Sequence, residues 1–359
     1  LAGDFVTTDA GTGLVHMAPD HGEDDFALCK AHGINPVFAV EGDGKYRADW
    51  AWLGGQGSVI NPKFVSKDGP ICTDLREAGA LLAASDDFRH SYPHSWRSKA
   101  KIIFRCTPQW FIPMDAPGPV RAEPVEAQAF SSEDRTALRH AQGERMEGNG
   151  ATLRDVALDA IAQTRWVPER SINRIRSMVE GRPDWVISRQ RAWGVPIALY
   201  VHRKSGDYLV DPAVNARIVE AFRQGGADAW FAADHARLLG PDYDLADYEV
   251  VNDILDVWFD SGSTHSFVVE GRYGEGARAD LYIEGSDQHR GWFQSSLLES
   301  CGTRGQAPYK AVLTHGFALD GTGKKMSKSL GNVVDPLKIM SESGADILRV
   351  WVASTDYFD

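Results

Sequence analysis

The 359-residue sequence has few cysteines and no closely spaced pair of them. The four cysteines, at positions 29, 72, 106 and 301, lie far apart along the chain. This spacing gives little support to a structural zinc site, which needs clustered ligands, or to a disulfide framework. The lack of a disulfide framework favours a reducing compartment, so we expect a cytoplasmic protein.

A long apolar run is also missing. The stretch "GVPIALYV" at 194–201 is among the longest, and a membrane-spanning helix needs about 20 apolar residues. We therefore expect no membrane segment, and no signal peptide is recognised. The sequence begins without methionine and ends just after an amphipathic run, so we expect both ends to be cuts through a longer protein.

The sequence lacks a basic excess, since its net charge is -12. This charge argues against indiscriminate coating of nucleic acid, but it leaves room for a local basic groove. One candidate for such a groove is residues 89–105, and the other is residues 170–191. The second stretch holds six arginines: Arg170, Arg174, Arg176, Arg182, Arg189 and Arg191. For either stretch alone, a solvated face is the better interpretation.

Residues 1 to about 90 are rich in glycine, aspartate and short apolar runs. Turn signals recur about every eight to twelve residues, which predicts a compact β-rich region. One helix is predicted inside "CTDLREAGALLAA", residues 72–84, with Thr73 as its cap.

Residues 117 to about 147 have few large apolar side chains and cannot bury enough surface to order themselves. We predict a disordered insertion with at most one short helix near residues 131–142. An added nucleic-acid contact through its arginines is the less favoured alternative, because neighbouring acidic residues offset their charge.

From residue 184 onward, strand-like and helix-like segments alternate, which predicts an α/β fold with a parallel sheet. Residues 150–168 are predicted to contain a helix, because Leu153, Val156, Ala157, Ala160 and Ile161 mark one helix face. Residues 335–354 are predicted to contain two helices, and Asp335 and Pro336 mark the start of the first, with a capping carboxylate and a proline in the first helical position. Ligands of such sheets bind at the carboxyl ends of the strands. Two polar segments are predicted to lie there, "EGSDQHRGW" at 284–292 and "HGFALDGTGKKMSKS" at 315–329.

The stretch "LDGTGKKMSKSLGN", residues 319–332, places Lys324, Lys325 and Lys328 among glycines and serines. Glycines keep the backbone permissive, and lysines are mobile point charges on long stems. Such a loop suits a polyanion, above all a triphosphate whose charge must be met as it moves. A solvated, flexible loop is the alternative for an arbitrary run of this composition.

The stretch "YIEGSDQHRGWF", residues 282–293, puts carboxylates and an amide into a strand-to-helix turn. A carboxylate such as Glu284 or Asp287 can hold an ammonium group or a pair of ribose hydroxyls. The alternative is that Ser286 or Asp287 caps the helix that runs through Leu298.

The lysine loop matches the KMSKS signature of class I aminoacyl-tRNA synthetases letter for letter. The sequence resembles the isoleucyl-tRNA synthetase family throughout, apart from residues 117–147. The matching catalytic segments are "RPDWVISRQRAWGVPI", "DVWFDSGSTHS", "IEGSDQHRGWF", "VLTHGFALDGTGKKMSKSLGN" and "GADILRVWVASTDY". Two further segments resemble the second half of the editing domain and its return to the catalytic core, "DAGTGLVHMAPDHGEDDF" and "HSYPHSWRSKAKIIFRCTPQWF".

The resemblance implies ATP, accompanied by Mg²⁺, L-isoleucine and tRNA(Ile) as ligands, with isoleucyl-adenylate as intermediate. It implies that three residues act on the ATP phosphates during catalysis: Lys325, Ser327 and Lys328. His315 and Gly316 would bind ATP together with Lys328. Six residues would bind the aminoacyl-adenylate: Glu284, Gly285, Asp287, Gln288, Trp193 and Trp292. Without the resemblance, core packing is the better interpretation of the two tryptophans.

The resemblance also implies a second, hydrolytic site that removes valyl-tRNA. A hydrophobic pocket for isoleucine cannot strongly reject a side chain one methylene smaller, an argument for which this family is the standard example. Asp25 matches the carboxylate that holds the substrate ammonium, and His16 matches a histidine beside the misacylated adenosine. Taken alone, His16 is better interpreted as an ordinary strand residue, because it alternates with Leu14 and Ala18.

The implied fold is α/β: the second half of a class I Rossmann-type nucleotide-binding domain with a parallel sheet, plus a β-rich portion of an editing domain. Residues 1–100 would be the C-terminal half of the editing domain. Residues 101–183 would lead back to the catalytic core, with the insertion at 117–147 inside them. Residues 184–345 would form the second half of the catalytic domain, and 346–359 would start the helical domain that leads to anticodon binding.

The sequence lacks the other class I signature, His-Ile-Gly-His, and the zinc-binding segment of the family. We therefore expect this chain alone to be inactive, and the full-length protein to be a monomeric ligase. Two alternatives stay open. One is a valyl-tRNA synthetase, which shares this architecture, and the other is a non-catalytic synthetase-like relic that binds RNA.

Overall fold

The computed structural model describes the chain apart from residues 8, 10–12, 51–53, 56, 58, 88, 96–97, 117–137, 141–149, 329 and 357–359. The predicted insertion therefore lies outside the described residues, except for 138–140. These three residues form a short strand. The rest of the stretch 131–142, for which at most one short helix is predicted, lies outside the described residues.

The described residues divide into two compact units. The first comprises Leu1–Pro108 with residues 138–139, and the second comprises the remainder. The helices of the first unit are α1 (Glu23–Ala31), α2 (Pro62–Val65) and α3 (Pro70–Glu77). Within the described residues of Leu1–Pro108, β pairing consists of two isolated bridges, Val40 with Tyr46 and His94 with Lys101.

Helix α3 begins three residues before its predicted cap. Gly69 is the N-cap residue and Pro70 is the first helical residue, so the prediction of Thr73 as cap is wrong. Proline suits the first helical position because its φ is already helical and its missing N–H has no partner there. The amide of Thr73 instead donates to the carbonyl of Gly69 as part of the first turn.

The strands of the chain are short. In chain order they are β1 (Gln109–Ile112), β2 (Leu138–His140), β3 (Arg165–Val167), β4 (Trp185–Val186), β5 (Ser188–Arg189), β6 (Tyr200–His202), β7 (Tyr248–Val250), β8 (Ile254–Leu255), β9 (Tyr282–Gly285) and β10 (Ala311–His315).

The second unit also holds the remaining helices. They are α4 (Leu153–Gln163), α5 (Ser171–Glu180), α6 (Pro212–Gly225), α7 (His235–Leu239), α8 (Val257–Gly262), α9 (Gly271–Tyr273), α10 (Trp292–Arg304), α11 (Pro336–Ser343) and α12 (Ala345–Ser354). Short 3₁₀ turns cover Ala227–Ala229, Leu245–Asp247 and Ser286–Arg290, and a π-helical stretch covers His265–Glu270.

A parallel sheet of β3, β10 and β9 forms the centre of the second unit, with β10 in the middle. This confirms the predicted α/β class with a parallel sheet. Helices α4, α5 and α10 pack with it around a core that includes Trp166, Tyr282, Phe293, Leu297 and Val312. Parallel strands with both faces covered need such continuous apolar surfaces.

Helix α4 follows the predicted apolar pattern. Thr152 and Asp155 form a reciprocal capping box at its start, which satisfies amides that have no partner within the helix. Ala157, Ala160 and Ile161 are buried on one face, as the 3.6-residue period requires.

Antiparallel pairs join the other strands of this unit: β1 with β4, β5 with β8, and β6 with β7. A second, smaller core lies beside β6 and β7. Its buried members are Tyr200, Val214, Ile218, Trp230, Leu238 and Leu239.

The two predicted C-terminal helices are confirmed as α11 and α12. Asp335 caps α11 by accepting a hydrogen bond from the amide of Leu337 at 2.9 Å, and Pro336 is its first residue. In the part of the chain that the structure describes, no helix is long and apolar enough to cross a membrane.

Candidate functional site

Two predicted site segments meet at the carboxyl edge of the parallel sheet. Strands β9 and β10 pair in register, so Thr314 lies beside Glu284 and His315 lies beside Gly285. Both segments leave the sheet at the same edge. One enters the turn after β9, and the other enters the loop after β10. The prediction that these segments share the carboxyl ends of the strands is confirmed.

The turn after β9 is a 3₁₀ turn, and α10 starts only at Trp292. The side chain of Gln288 accepts a hydrogen bond from the Trp292 amide at 3.0 Å. Neither Ser286 nor Asp287 provides a side-chain cap, so that alternative is wrong. The 3₁₀ turn places those residues too early, and Gln288 has the reach to satisfy the first amide of α10.

The carboxylates of this turn are accessible. Glu284 and Asp287 are exposed, and one Glu284 oxygen accepts from the Gly285 amide at 2.9 Å. A Cβ at Gly285 would lie 2.8 Å from Asp287 and 2.9 Å from the ring of Phe317. Glycine at this position therefore lets the turn and the loop after β10 approach each other closely.

The lysine loop begins with a tight hairpin. The Asp320 carbonyl accepts from the Gly323 amide at 2.9 Å, and the amide of Asp320 donates to the Lys324 carbonyl at 2.8 Å. Gly323 has a φ of 78°, which suits the left-handed position of a three-residue hairpin loop. The Leu319–Lys325 bridge continues the pairing. The sequence Asp-Gly-Thr-Gly is thus a turn with a specific geometry.

Lys325 joins the lysine loop to the turn after β9. Its Nζ lies 3.4 Å from Asp287 Oδ2 and 3.5 Å from the centroid of the Phe317 ring. An ammonium over an aromatic face and beside a carboxylate is held by both. Lys328 is exposed, and the amide of Ser327 donates to the Asn332 side chain at 2.9 Å.

Trp292 is fixed at the start of α10. Its ring stacks on that of Tyr282 with centroids 4.0 Å apart and planes 8° apart. The indole N–H donates to the Ser261 carbonyl at 2.9 Å and to the Thr264 hydroxyl at 3.1 Å. The structure therefore brings together two segments singled out in the sequence, those of residues 256–266 and 283–293.

Trp193 is placed differently, with 83% of its surface exposed. Among the described residues, no ring contact links it to Trp292 or to another of the predicted site residues. The segment that carries it is nevertheless anchored, because Arg189 pairs with Asp256 at 2.9 Å and β5 pairs with β8.

A cavity of about 280 Å³ opens at the same edge of the sheet, between the ends of β3 and β10 and the start of α5. Its lining residues are Pro168, Arg170, Ser171, Arg174, Ser286, His289, Thr314, His315 and Gly316. It includes two of the predicted ATP-binding residues, His315 and Gly316. Burial holds the pKa of His289 below its ordinary value, so this imidazole is neutral at physiological pH.

Sequence reasoning missed Arg170 and Arg174 as residues of this edge. Three other arginines of that stretch make separate contacts: Arg176 pairs with Glu180, Arg182 contacts Gln294, and Arg189 pairs with Asp256. Their position in the sequence could have indicated this placement, since Arg170 and Arg174 follow strand β3 of the parallel sheet and lie at the start of helix α5. Such helix starts face the ligand side of the sheet.

The two predicted editing residues lie in the first unit. Asp25 is in the first turn of α1, and its Oδ2 accepts from the Ala18 amide at 2.7 Å. His16 is exposed two residues before Ala18. No hydrogen bond joins His16 to Asp25 in the described part of this unit. The nearby Asp20 is buried and accepts from the amides of Val37 and Phe38, which is a structural role.

Comparison with known proteins decides the family. Residues 66–359 match the model of the class I tRNA synthetases for isoleucine, leucine, methionine and valine. This match covers most of the chain, including both motifs that meet at the sheet edge. The chain belongs to the class I tRNA synthetases.

Relatives of this synthetase chain share high sequence identity with it. It is 69% identical over 357 residues to an isoleucine–tRNA ligase of Zymomonas mobilis subsp. mobilis, with 99% of this chain and 35% of the relative covered. It is 53% identical to an isoleucine–tRNA ligase of Caulobacter vibrioides and 51% identical to one of Gluconobacter oxydans, with 99% of this chain and 34% of either relative covered. The chain therefore spans about a third of the length of these relatives.

The residues of this class I chain that the structure describes include no group of three or more His, Cys, Asp or Glu side chains suited to a metal ion. The exposed carboxylates of the site, Glu284 and Asp287, instead face the lysine loop or the backbone.

Proposed function

We propose that the full-length protein containing this chain attaches L-isoleucine to tRNA(Ile). In the first step, ATP and isoleucine form isoleucyl-adenylate and pyrophosphate. In the second step, the aminoacyl group moves to the 3′ end of the tRNA, and AMP leaves. A separate site in the first unit hydrolyses valyl-tRNA.

One observation carries the proposal. The Lys325 ammonium reaches Asp287 across the carboxyl edge of the sheet, so the lysine loop and the turn after β9 face one crevice. A lysine side chain on a long, flexible stem can follow charge as pyrophosphate departs, which is the step that needs electrostatic stabilisation. We assign the phosphates to Lys325, Ser327, Lys328, His315 and Gly316.

The adenylate is assigned to the turn after β9. The exposed carboxylates of Glu284 and Asp287 suit ribose hydroxyls and the ammonium of the amino acid, and Gly285 permits close approach of the ligand. Gln288 and Trp292 would line the amino-acid side of this pocket, since Gln288 positions the Trp292 backbone. Trp193, which is exposed, would close over the ligand from its own loop.

The cavity between β3, β10 and α5 supports the placement of the phosphates. Arg170 and Arg174 add positive charge next to His315. Arginine suits phosphate because its planar fork can donate two parallel hydrogen bonds. A polyanion that extends from the lysine loop toward β3 would meet these groups.

The editing activity is assigned to His16 and Asp25. The hydrogen bond from the Ala18 amide fixes the orientation of the Asp25 carboxylate, and a fixed carboxylate can hold the ammonium of valyl-tRNA. His16, exposed beside it in sequence, would contact the terminal adenosine.

The experiment is to express the full-length protein and to measure ATP–pyrophosphate exchange with isoleucine and with valine, followed by charging of tRNA(Ile) and tRNA(Val). We expect exchange with both amino acids, isoleucine strongly preferred, and stable charging of tRNA(Ile) with isoleucine only. Stable charging of tRNA(Val) would favour the valyl-tRNA synthetase. RNA binding without exchange or charging would favour the non-catalytic relic.

We place this activity in the cytoplasm, with the full-length protein as a monomer. The four cysteines are free, which agrees with a reducing compartment.

A further inference from the structure

The lysine loop is held by a hydrogen-bonded pair of side chains, Asp320 and Asn332, that stand at its two ends. The Asn332 amide nitrogen donates to Asp320 Oδ2 at 2.7 Å. The other Asp320 oxygen accepts from the Thr322 amide, the Thr322 hydroxyl and the Lys324 amide at 2.7–3.0 Å. We call Asp320 and Asn332 the loop clasp.

Asn332 also reaches the backbone on either side of Met326. Its Nδ2 lies 3.3 Å from the Lys325 carbonyl, to which it donates, and its Oδ1 accepts from the Ser327 amide at 2.9 Å. One planar amide thus fixes two peptide groups and one carboxylate. Only an amide side chain supplies two donors and an acceptor in this arrangement.

We propose that Asn332, anchored by Asp320, is a positioning residue that holds the backbone of Lys325 and Ser327, so that the lysine side chains meet the ATP phosphates. This inference rests on the proposed function and deepens it. Asn332 acts through the loop and does not itself contact the substrate.

The reason is that apolar burial contributes little to the order of this part of the chain. Gly321, Gly323 and Gly331 leave the backbone permissive, and Leu319 and Leu330 are largely exposed. The loop therefore gains little from apolar burial. Hydrogen bonds to a charged acceptor such as Asp320 are stronger than those between neutral groups. The clasp thus joins the hairpin directly to Asn332, beyond Lys328, through a hydrogen bond to a charged acceptor.

For the same reason, loss of the clasp is expected to change activity more than stability. Reduced order in the loop weakens interactions that form only in the transition state, and such losses appear in kcat. The amino-acid pocket is built by other segments, around Glu284 and Trp292, so the KM for isoleucine should change little.

The test uses the full-length protein with Asn332→Asp and Asp320→Asn, singly and together. Asn332→Asp keeps an acceptor for the Ser327 amide but sets two carboxylates against each other. The double variant restores an amide opposite a carboxylate, with their positions exchanged. Asn215→Asp makes the same chemical change at an exposed position of α6 and serves as the control.

We expect Asn332→Asp to lower the kcat of isoleucine-dependent pyrophosphate exchange by about tenfold or more, since a charge-assisted hydrogen bond becomes a repulsion. The KM for isoleucine and the melting temperature should stay close to those of Asn215→Asp. The double variant should recover at least about threefold over Asn332→Asp, because coupled residues are non-additive.

Wild-type kcat in Asn332→Asp, or a double variant no better than the single one, would overturn the inference. A fall in melting temperature that matches the activity loss would assign Asn332 a purely structural role and would also overturn it. Lys328→Ala in the same assay separates the two proposals. If wild-type exchange is present and Lys328→Ala abolishes it while Asn332→Asp does not, the loop-clasp inference fails and the proposed function stands.

Discussion

Lys325 and Asp287 form an ion pair of 3.4 Å across the carboxyl edge of the parallel sheet. The pair joins a loop that follows β10 to a turn that follows β9, and Phe317 packs under the lysine ammonium. Both partners are about half exposed, so the pair adds little to the stability of the fold. Its importance is that it sets the spacing of two segments that we assign to opposite ends of one ligand.

The first prediction concerns this pair. Asp287→Asn should leave the melting temperature nearly unchanged but lower isoleucine-dependent pyrophosphate exchange by at least about tenfold, because Asp287 is assigned a ligand contact. Asp280→Asn is the matched control, since it breaks another exposed ion pair, between Lys310 and Asp280, which is 2.7 Å long. This pair is not part of the lysine loop. Equal activity in the two variants would remove Asp287 from the site.

The second prediction concerns pH. Glu299 is buried in α10, and burial together with Asp260 raises its pKa to about 9. The folded state therefore keeps this proton at pH values where the unfolded chain has lost it. Because the unfolded state binds fewer protons than the folded state in this range, the free energy of unfolding decreases as pH rises from about 4.5 towards 9.

Glu299→Gln should flatten this dependence and raise the melting temperature most at pH 8–9, the upper part of that window. The measurement is the thermal midpoint of the full-length protein and of the variant across the window. Parallel curves for the two proteins would contradict a protonated Glu299.

The third prediction concerns the close packing of α8 on α10. A Cβ at Gly262 would lie 2.0 Å from Glu299 Oε1, so Gly262→Ala should destabilise the protein by about 1–3 kcal/mol. It should also disturb the Trp292 N–H bond to Ser261, and with it the binding of isoleucine. Gly302→Ala in α10 is the control, because its Cβ would meet only Leu153 Cδ1 at 3.7 Å.

Gly302→Ala should be neutral or slightly stabilising, since alanine favours a helix over glycine by about 1 kcal/mol. Chemical unfolding of the two variants provides the comparison. A Gly262→Ala variant as stable as Gly302→Ala would show that α8 and α10 have room to separate.

The fourth prediction concerns the first unit. Asp25→Ala in the full-length protein should leave isoleucine charging near normal while valyl-tRNA accumulates, because Asp25 is assigned to the editing ammonium. Asp24→Ala is a neighbouring control in the same turn of α1. Deacylation of valyl-tRNA is measured directly, and wild-type rates in Asp25→Ala would exclude it from the editing site.

Strong local signals made much of the second unit predictable. Asp335 and Pro336 specified the start of α11, and the apolar period of residues 153–161 specified α4. The alternation of strand and helix specified the parallel sheet, and with it the edge where residues 284–292 and 315–329 meet. These features depend on backbone preferences that are local in sequence or on a topology rule.

The features that the sequence did not predict depend on contacts between residues that are distant in sequence. The cap of α10 comes from Gln288, and nothing local distinguishes that role from capping by Ser286 or Asp287. The Asp320–Asn332 contact joins residues twelve positions apart across the lysine loop, and no local pattern in the sequence indicates it. From the sequence alone, Arg174 is interpreted as a solvated residue. The structure instead places it in the lining of the cavity at the ends of β3 and β10. In residues 1–90, Gly and Asp turn signals predict β structure, whereas the described pairing within residues 1–108 is limited to two bridges.

The measurement that tests the central claim most directly is steady-state pyrophosphate exchange by the full-length protein and its Lys328→Ala variant, with isoleucine binding measured alongside. The proposed role of the lysine loop predicts a loss of about a hundredfold or more in kcat with an isoleucine dissociation constant changed by less than about threefold. Equal losses in kcat and in isoleucine affinity, or wild-type exchange in the variant, would contradict it.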